Sequence, residues 1–203
     1  MNCPFAERVT SVLSRHPGIG AVVLVGSRAR GEAAELSDWD LKVETSAFRP
    51  VAAALPALVA PLKPLAQQWD RLSEHACYML LLPGVGKVDL IFDEPCKPKP
   101  PWVVRLTTLP SIDDHFWDWT LWLAAKDRAG KQALVRSELK KMHEHLLAPL
   151  GVQRVSAGVS NAVTAYTPAR AGAERRLGVA VPRAVENEVR RLLAACGFRL
   201  GGG

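Results

Sequence analysis

The run Ala21-Val22-Val23-Leu24-Val25 constrains this chain most. It is apolar at every position and rich in β-branched side chains, which suits a strand covered on both faces and not an amphipathic helix. It stops at Gly26-Ser27. Glycine there permits a sharp turn and lets a ligand approach the backbone, while Ser27 places a hydroxyl and an amide at the start of a predicted short helix running to about Ala34. The amides and positive dipole end of such a start attract phosphate, and Arg28 and Arg30 add charge beside it.

Ser37-Asp38-Trp39-Asp40-Leu41-Lys42-Val43 follows as a predicted second strand. Alternation along a strand puts Asp38 and Asp40 on one face and Trp39, Leu41 and Val43 on the other, where they can join the core. Two carboxylates on one face repel each other unless a cation sits between them. A hard divalent ion such as Mg²⁺ accepts carboxylate and phosphate oxygens together. A third carboxylate is supplied by Lys87-Val88-Asp89-Leu90-Ile91-Phe92, which follows Tyr78 to Leu82 and Pro83-Gly84-Val85-Gly86 in the form strand, turn, strand. Asp89 is the charge in that otherwise buried-looking strand, a costly placement unless it is paired or bound to metal.

In this order, Val25-Gly26-Ser27, Arg28-Ala29-Arg30-Gly31, Ser37-Asp38-Trp39-Asp40-Leu41 and Val88-Asp89-Leu90 resemble the nucleotidyltransferases of the DNA polymerase β type. The resemblance covers roughly the first 95 residues. It implies that Gly26 and Ser27 hold a triphosphate, that Asp38 and Asp40 bind two Mg²⁺ ions, and that Asp89 completes the site as metal ligand or general base. The reaction it implies is transfer of a nucleoside monophosphate from a nucleoside triphosphate, ATP foremost, to an acceptor hydroxyl.

The rest of the chain is organised around this stretch. Phe5, Val9, Val12 and Leu13 recur at helical spacing before Pro17-Gly18, so a first amphipathic helix is expected. A helix interrupted by Pro50, Pro56 and Pro61 is expected between Thr45 and Leu62, and a strand over Leu65 to Arg71. Glu94-Pro95-Cys96-Lys97-Pro98-Lys99-Pro100-Pro101 cannot continue a helix or a central strand. The division expected is a domain at 1–95, a proline-rich linker at 96–110 and a second domain at 111–200.

Beyond the linker the pattern is helical. Asp113 or Asp114 is expected to cap a helix to Lys126, and a second helix from Lys131 to Leu147 has Leu134, Leu139, Met142, Leu146 and Leu147 as its apolar contacts. Ala162 to Leu177 reads as helical in part. Pro182 opens a last helix with Val185, Val189, Leu192, Leu193 and Cys196 as its stripe, and the Gly201-Gly202-Gly203 tail is expected to be disordered. The fold class is therefore an α/β (α+β) mixed-sheet lobe followed by an all-helical bundle. Phe116-Trp117, Lys126, Lys140, Met142 and Pro149 are similar to the second domain of the aminoglycoside nucleotidyltransferases. That resemblance implies Lys140 as a phosphate contact, with Lys126 second. Trp117, Trp119 and Trp122 read as core before they read as a stacking surface, and His115, His143 and His145 as helix surface.

Charge divides the chain: residues 126–203 carry fourteen Lys and Arg against six Asp and Glu, and residues 1–125 carry twelve against fourteen. The basic half is suited either to a polyanion such as the triphosphate across a cleft or simply to solvent. No apolar run reaches the length that crosses a bilayer and the N-terminus has no signal-peptide shape, so a cytoplasmic protein is expected. Cys3, Cys77, Cys96 and Cys196 lack paired spacing and are expected as free thiols. The expected acceptor is a small-molecule hydroxyl, an aminoglycoside-like antibiotic among the candidates. A partner protein or a tRNA is the alternative, although no basic stripe interleaved with aromatics marks a nucleic-acid module.

Overall fold

A computed structural model describes residues 4–200, and the chain divides into two compact units with the break between Lys99 and Pro100. The Gly201-Gly202-Gly203 tail and Cys3 lie outside the described residues; among the described residues Cys77, Cys96 and Cys196 form no disulfide.

The first unit is a five-stranded mixed sheet. α1 (Pro4–Leu13) leads into β1 (Ile19–Val25), α2 (Gly26–Ala29), β2 (Trp39–Thr45) and α3 (Phe48–Val59), which ends in a 3₁₀ turn at Ala60–Leu62; β3 (Ala66–Trp69), β4 (His75–Leu82) and β5 (Gly86–Pro95) follow. The strand order is β1-β2-β5-β4-β3, and β2 and β5 form a parallel pair in an otherwise antiparallel sheet. That pairing needs a long crossover, which α3, β3 and β4 provide. Alternation sorts the side chains. Leu41 and Val43 of β2, Val88, Leu90 and Phe92 of β5 and Tyr78, Leu80 and Leu82 of β4 join Val9, Leu13, Val51, Leu55 and Val59 in one buried core. α1 and α3 therefore lie on that face, and Asp40, Lys42, Lys87 and Asp89 are on the other.

Two expectations change here. α3 runs through Pro56 without a break, because apolar positions Val51, Leu55 and Val59 bury a continuous stripe that outweighs the one missing hydrogen bond. α2 is four residues long and does not reach Ala34: Gly31 turns at φ 74° and the Glu32 amide donates to the Ser27 carbonyl at 2.9 Å.

The second unit contains α4 (Leu109–Arg128), α5 (Gln132–Met142), a π-helical turn (His143–Leu147), α6 (Val159–Leu177) and α7 (Ala184–Ala195). α4 packs on α5, α6 and α7. It starts at Leu109 with Pro110 in its first turn, so Asp113 and Asp114 lie in its second turn and do not cap it. Asp113 is instead fully buried, accepting from Tyr166 Oη at 2.5 Å and from Arg170 Nη1 at 2.8 Å, and Arg170 also meets Glu186 at 2.6 Å. Phe116 stacks on Tyr166 with centroids 3.6 Å apart. Trp117 and Trp119 are buried, as the helical pattern predicts. His115 is buried as well, against the expectation of a surface residue. α5 turns Val135 inward and leaves Leu134 exposed, and its continuation to Leu147 is π-helical, with the Ala148 amide donating to the His143 carbonyl. α6 is helical throughout despite Pro168, and α7 begins at Ala184, two residues beyond Pro182. Among the described residues no helix is long and apolar enough to cross a membrane.

Candidate active site

The sheet register builds the site. β1 and β2 are antiparallel with Val25 facing Asp40, and β2 and β5 are parallel with Asp40 facing Asp89. The turn after β1, Asp40 and Asp89 are thus neighbours across three strands. Asp38, one residue before β2, reaches the same place, and the ligand oxygens of Asp38, Asp40 and Asp89 all lie within 4.8 Å of one another. Asp38 is buried and the other two are half-buried.

Gly26 is required by this arrangement. Its φ is 69°, and a Cβ built there would lie 2.0 Å from Asp40 Oδ2. The carboxylate occupies the space a side chain would take, a reason for glycine additional to the approach of a ligand. Ser27 is half-buried at the same turn. A helix of four residues sums little dipole, so the turn can offer an anion only its local amides and the Ser27 hydroxyl.

Arg28 folds back and away from the turn. Its Nε donates to the carbonyls of Ser37 and Asp38 at 3.2 and 3.0 Å, its Nη2 donates to Ser37 at 2.5 Å, and its guanidinium lies 4.0 Å from the Trp39 ring centroid. It ties α2 to the chain entering β2. Arg30 is exposed and pairs with Glu32 at 2.7 Å, and Lys140 is exposed on α5 of the second unit. Lys87 Nζ donates to Asp89 Oδ1 at 2.7 Å, from a side chain only 8% exposed.

With this geometry, residues 7–99 match the family model described as a nucleotidyltransferase domain. The first unit is a nucleotidyltransferase domain. Among solved structures, the chain is similar to a cytoplasmic RNA terminal U-transferase at 20% identity over 44% of this chain and 29% of that one, with a TM-score of 0.36. It is also similar to an aminoglycoside 6-adenyltransferase from Bacillus subtilis at 10% identity over 93% of this chain and 96% of that one, with a TM-score of 0.32. The chain therefore spans less than a third of the length of the first of these. No curated protein matches it.

The nucleotidyltransferase domain presents three hard oxygen donors and no His or Cys in the group, a donor set that fits Mg²⁺ or Mn²⁺ better than a soft metal. Burial pushes the Asp89 carboxyl above the usual range; Asp38 and Asp70 push it the same way, and Lys87 opposes them. Lys87 and Asp70 were not read from the sequence as part of the site. Lys87 had a signal, since it stands two residues before Asp89 and so shares its face of β5. Asp70 had none, because it reaches the domain's acidic group only through the pairing of β3 with β4 and β4 with β5.

Proposed function

We propose that the chain transfers a nucleoside monophosphate from a nucleoside triphosphate, preferably ATP, to a hydroxyl of a small-molecule acceptor. The acceptor oxygen bonds to the α-phosphorus, the bond to the bridging oxygen breaks, and pyrophosphate leaves. The observation that carries this reading is the convergence of Asp38, Asp40 and Asp89 beside the Gly26-Ser27 turn in a nucleotidyltransferase domain. The three carboxylates are the proposed ligands of two Mg²⁺ ions. Such ions, when bound, supply positive charge to phosphate oxygens and lower the pKa of an acceptor hydroxyl.

The chain's own residues bind and orient. Ser27 donates its hydroxyl and the turn its amides to the phosphates that leave. Arg28 holds the turn against the strand bearing the aspartates, which fixes the distance between phosphate and carboxylates. Arg30, exposed near the turn, is the side chain of this unit proposed to neutralise phosphate charge.

The test offers labelled nucleoside triphosphates and Mg²⁺ with aminoglycosides and other polyhydroxylated small molecules, then with tRNA, then with protein extract. Label is expected on a small molecule. Label on tRNA or on a protein would change the acceptor class, and absence of Mg²⁺-dependent pyrophosphate release with every acceptor would overturn the activity.

A further inference from the structure

Lys87 is a buried ammonium, a placement that costs free energy unless a counter-charge compensates it. Its direction follows from β5: Val88 and Leu90 enter the core, while Lys87 and Asp89 project from the opposite face and meet at 2.7 Å. The lysine thus stands among the carboxylates proposed to hold cations, and it takes one oxygen of Asp89. Charge counting gives the consequence. Three carboxylates and one ammonium sum to two negative charges, which one divalent ion balances. A second ion would meet a group with no net charge left to attract it and would compete with Lys87 for Asp89. Asp70, which also bears on Asp89, has its Oδ1 held by the Leu72 amide at 2.8 Å.

We propose that Lys87 serves Asp89 as a resident counter-ion, so that the site takes up one divalent cation before nucleotide binds and a second only with the charge of the triphosphate. This rests on the reading of Asp38, Asp40 and Asp89 as cation ligands. Lys87 is in these terms a positioning residue. The first ion belongs to Asp38 and Asp40, and Asp89 is withheld until phosphate oxygens arrive.

The experiment is a titration of the full chain with Mn²⁺ in the absence of nucleotide, with free Mn²⁺ read by electron paramagnetic resonance. One Mn²⁺ per chain is expected for the unaltered protein and for Lys87→Arg. Two are expected for Lys87→Met, the second tightened about tenfold or more. Unchanged number and affinity in Lys87→Met, or two equivalent ions in the unaltered protein, would overturn the proposal. Because Lys87→Met leaves a buried carboxylate without its partner, Lys87→Met/Asp89→Asn is titrated alongside it, with circular dichroism to check folding. It should bind one Mn²⁺ with the unaltered affinity; a loss of about tenfold would assign Asp89 to the first ion and overturn the proposal. Asp38→Asn and Asp40→Asn separate the two levels of the argument. If both keep full Mn²⁺ binding, the cation reading itself falls and this proposal with it. If they lose binding while Lys87→Met behaves as the unaltered chain, only the role of Lys87 falls.

Discussion

Asp40 leaves no room beside it for a side chain at position 26, and this makes Gly26→Ala informative. The variant must both hold a Cβ at φ 69° and displace a carboxylate oxygen 2.0 Å away. The backbone term alone costs about 1–2 kcal/mol. Thermal melting should show that loss, and Mn²⁺ affinity should fall about tenfold or more because Asp40 is pushed from its partners. Asp38→Asn and Asp40→Asn should do the opposite to the fold: they remove repulsion, so melting should hold steady or improve while turnover drops at least about a hundredfold. Full turnover in either variant would disprove the site. Arg28→Lys keeps the charge and loses the fork that spans two carbonyls and lies on Trp39, so it should cost about 1–2 kcal/mol in urea unfolding. Gly26, Ser27, Asp38, Asp40 and Asp89 stand out in the chain because each breaks a local pattern, and the sheet brings the three aspartates together beside Gly26. Arg28 is expected to add charge beside the turn, and its guanidinium is turned to the carbonyls of Ser37 and Asp38; nothing in the sequence tells whether a guanidinium points outward or back to its own backbone.

Strands were easier to read than helix ends. β1, β2, β4 and β5 announce themselves by apolar runs and alternation, whereas their order, and the parallel register that sets Asp40 against Asp89, come from pairing that no local pattern encodes. The ends of α2 and α4 were misplaced for a common reason: a carboxylate or serine near a helical pattern suggests a cap, but the actual boundaries are set by Gly31 and by Pro110. Asp113 shows what such a residue does when it lies within the helix. Buried between α4 and α6, it is compensated by Arg170 and Tyr166, and Arg170 joins it to Glu186 on α7. Arg170→Met should therefore destabilise the second unit by about 3–5 kcal/mol, because it strands two buried carboxylates. Adding Asp113→Asn and Glu186→Gln to that variant should recover much of the loss in urea unfolding. No recovery would mean that packing of the Arg170 stem, and not charge, holds these helices together.

Over the whole molecule, the carboxyl that folding holds protonated beyond the range in which the unfolded chain would give up its proton is that of Asp114. Burial pushes Asp114 from 3.8 to about 7, with the charges of Asp113 and Asp118 adding to it. Burial also raises Asp89 and Asp113, against the opposition of Lys87 in one case and of Arg170 and Tyr166 in the other. Glu174 moves down instead; burial works against that, and the hydrogen bonds from Arg183 and the Val181 amide outweigh it. For a raised carboxyl the folded state binds more protons than the unfolded one between the two pKa values, so its contribution is complete below pH 3.8 and is lost as pH rises to the folded value. For Asp114 that window runs from about 4 to about 7, and the loss across it amounts to at most roughly 4 kcal/mol. Stability of the full chain should accordingly fall between pH 5 and 7.5, the reverse of what lowered carboxylates such as Glu174 would produce at lower pH. Asp114→Asn should flatten most of that slope and raise the melting temperature at pH 7.5 while changing little at pH 4. Mn²⁺ should add a separate stabilisation that grows with its concentration and vanishes in Asp38→Asn, because it acts on the other unit. An unchanged slope in Asp114→Asn would mean that this carboxyl is hydrated and ionised in the fold, and that the pH dependence has another source.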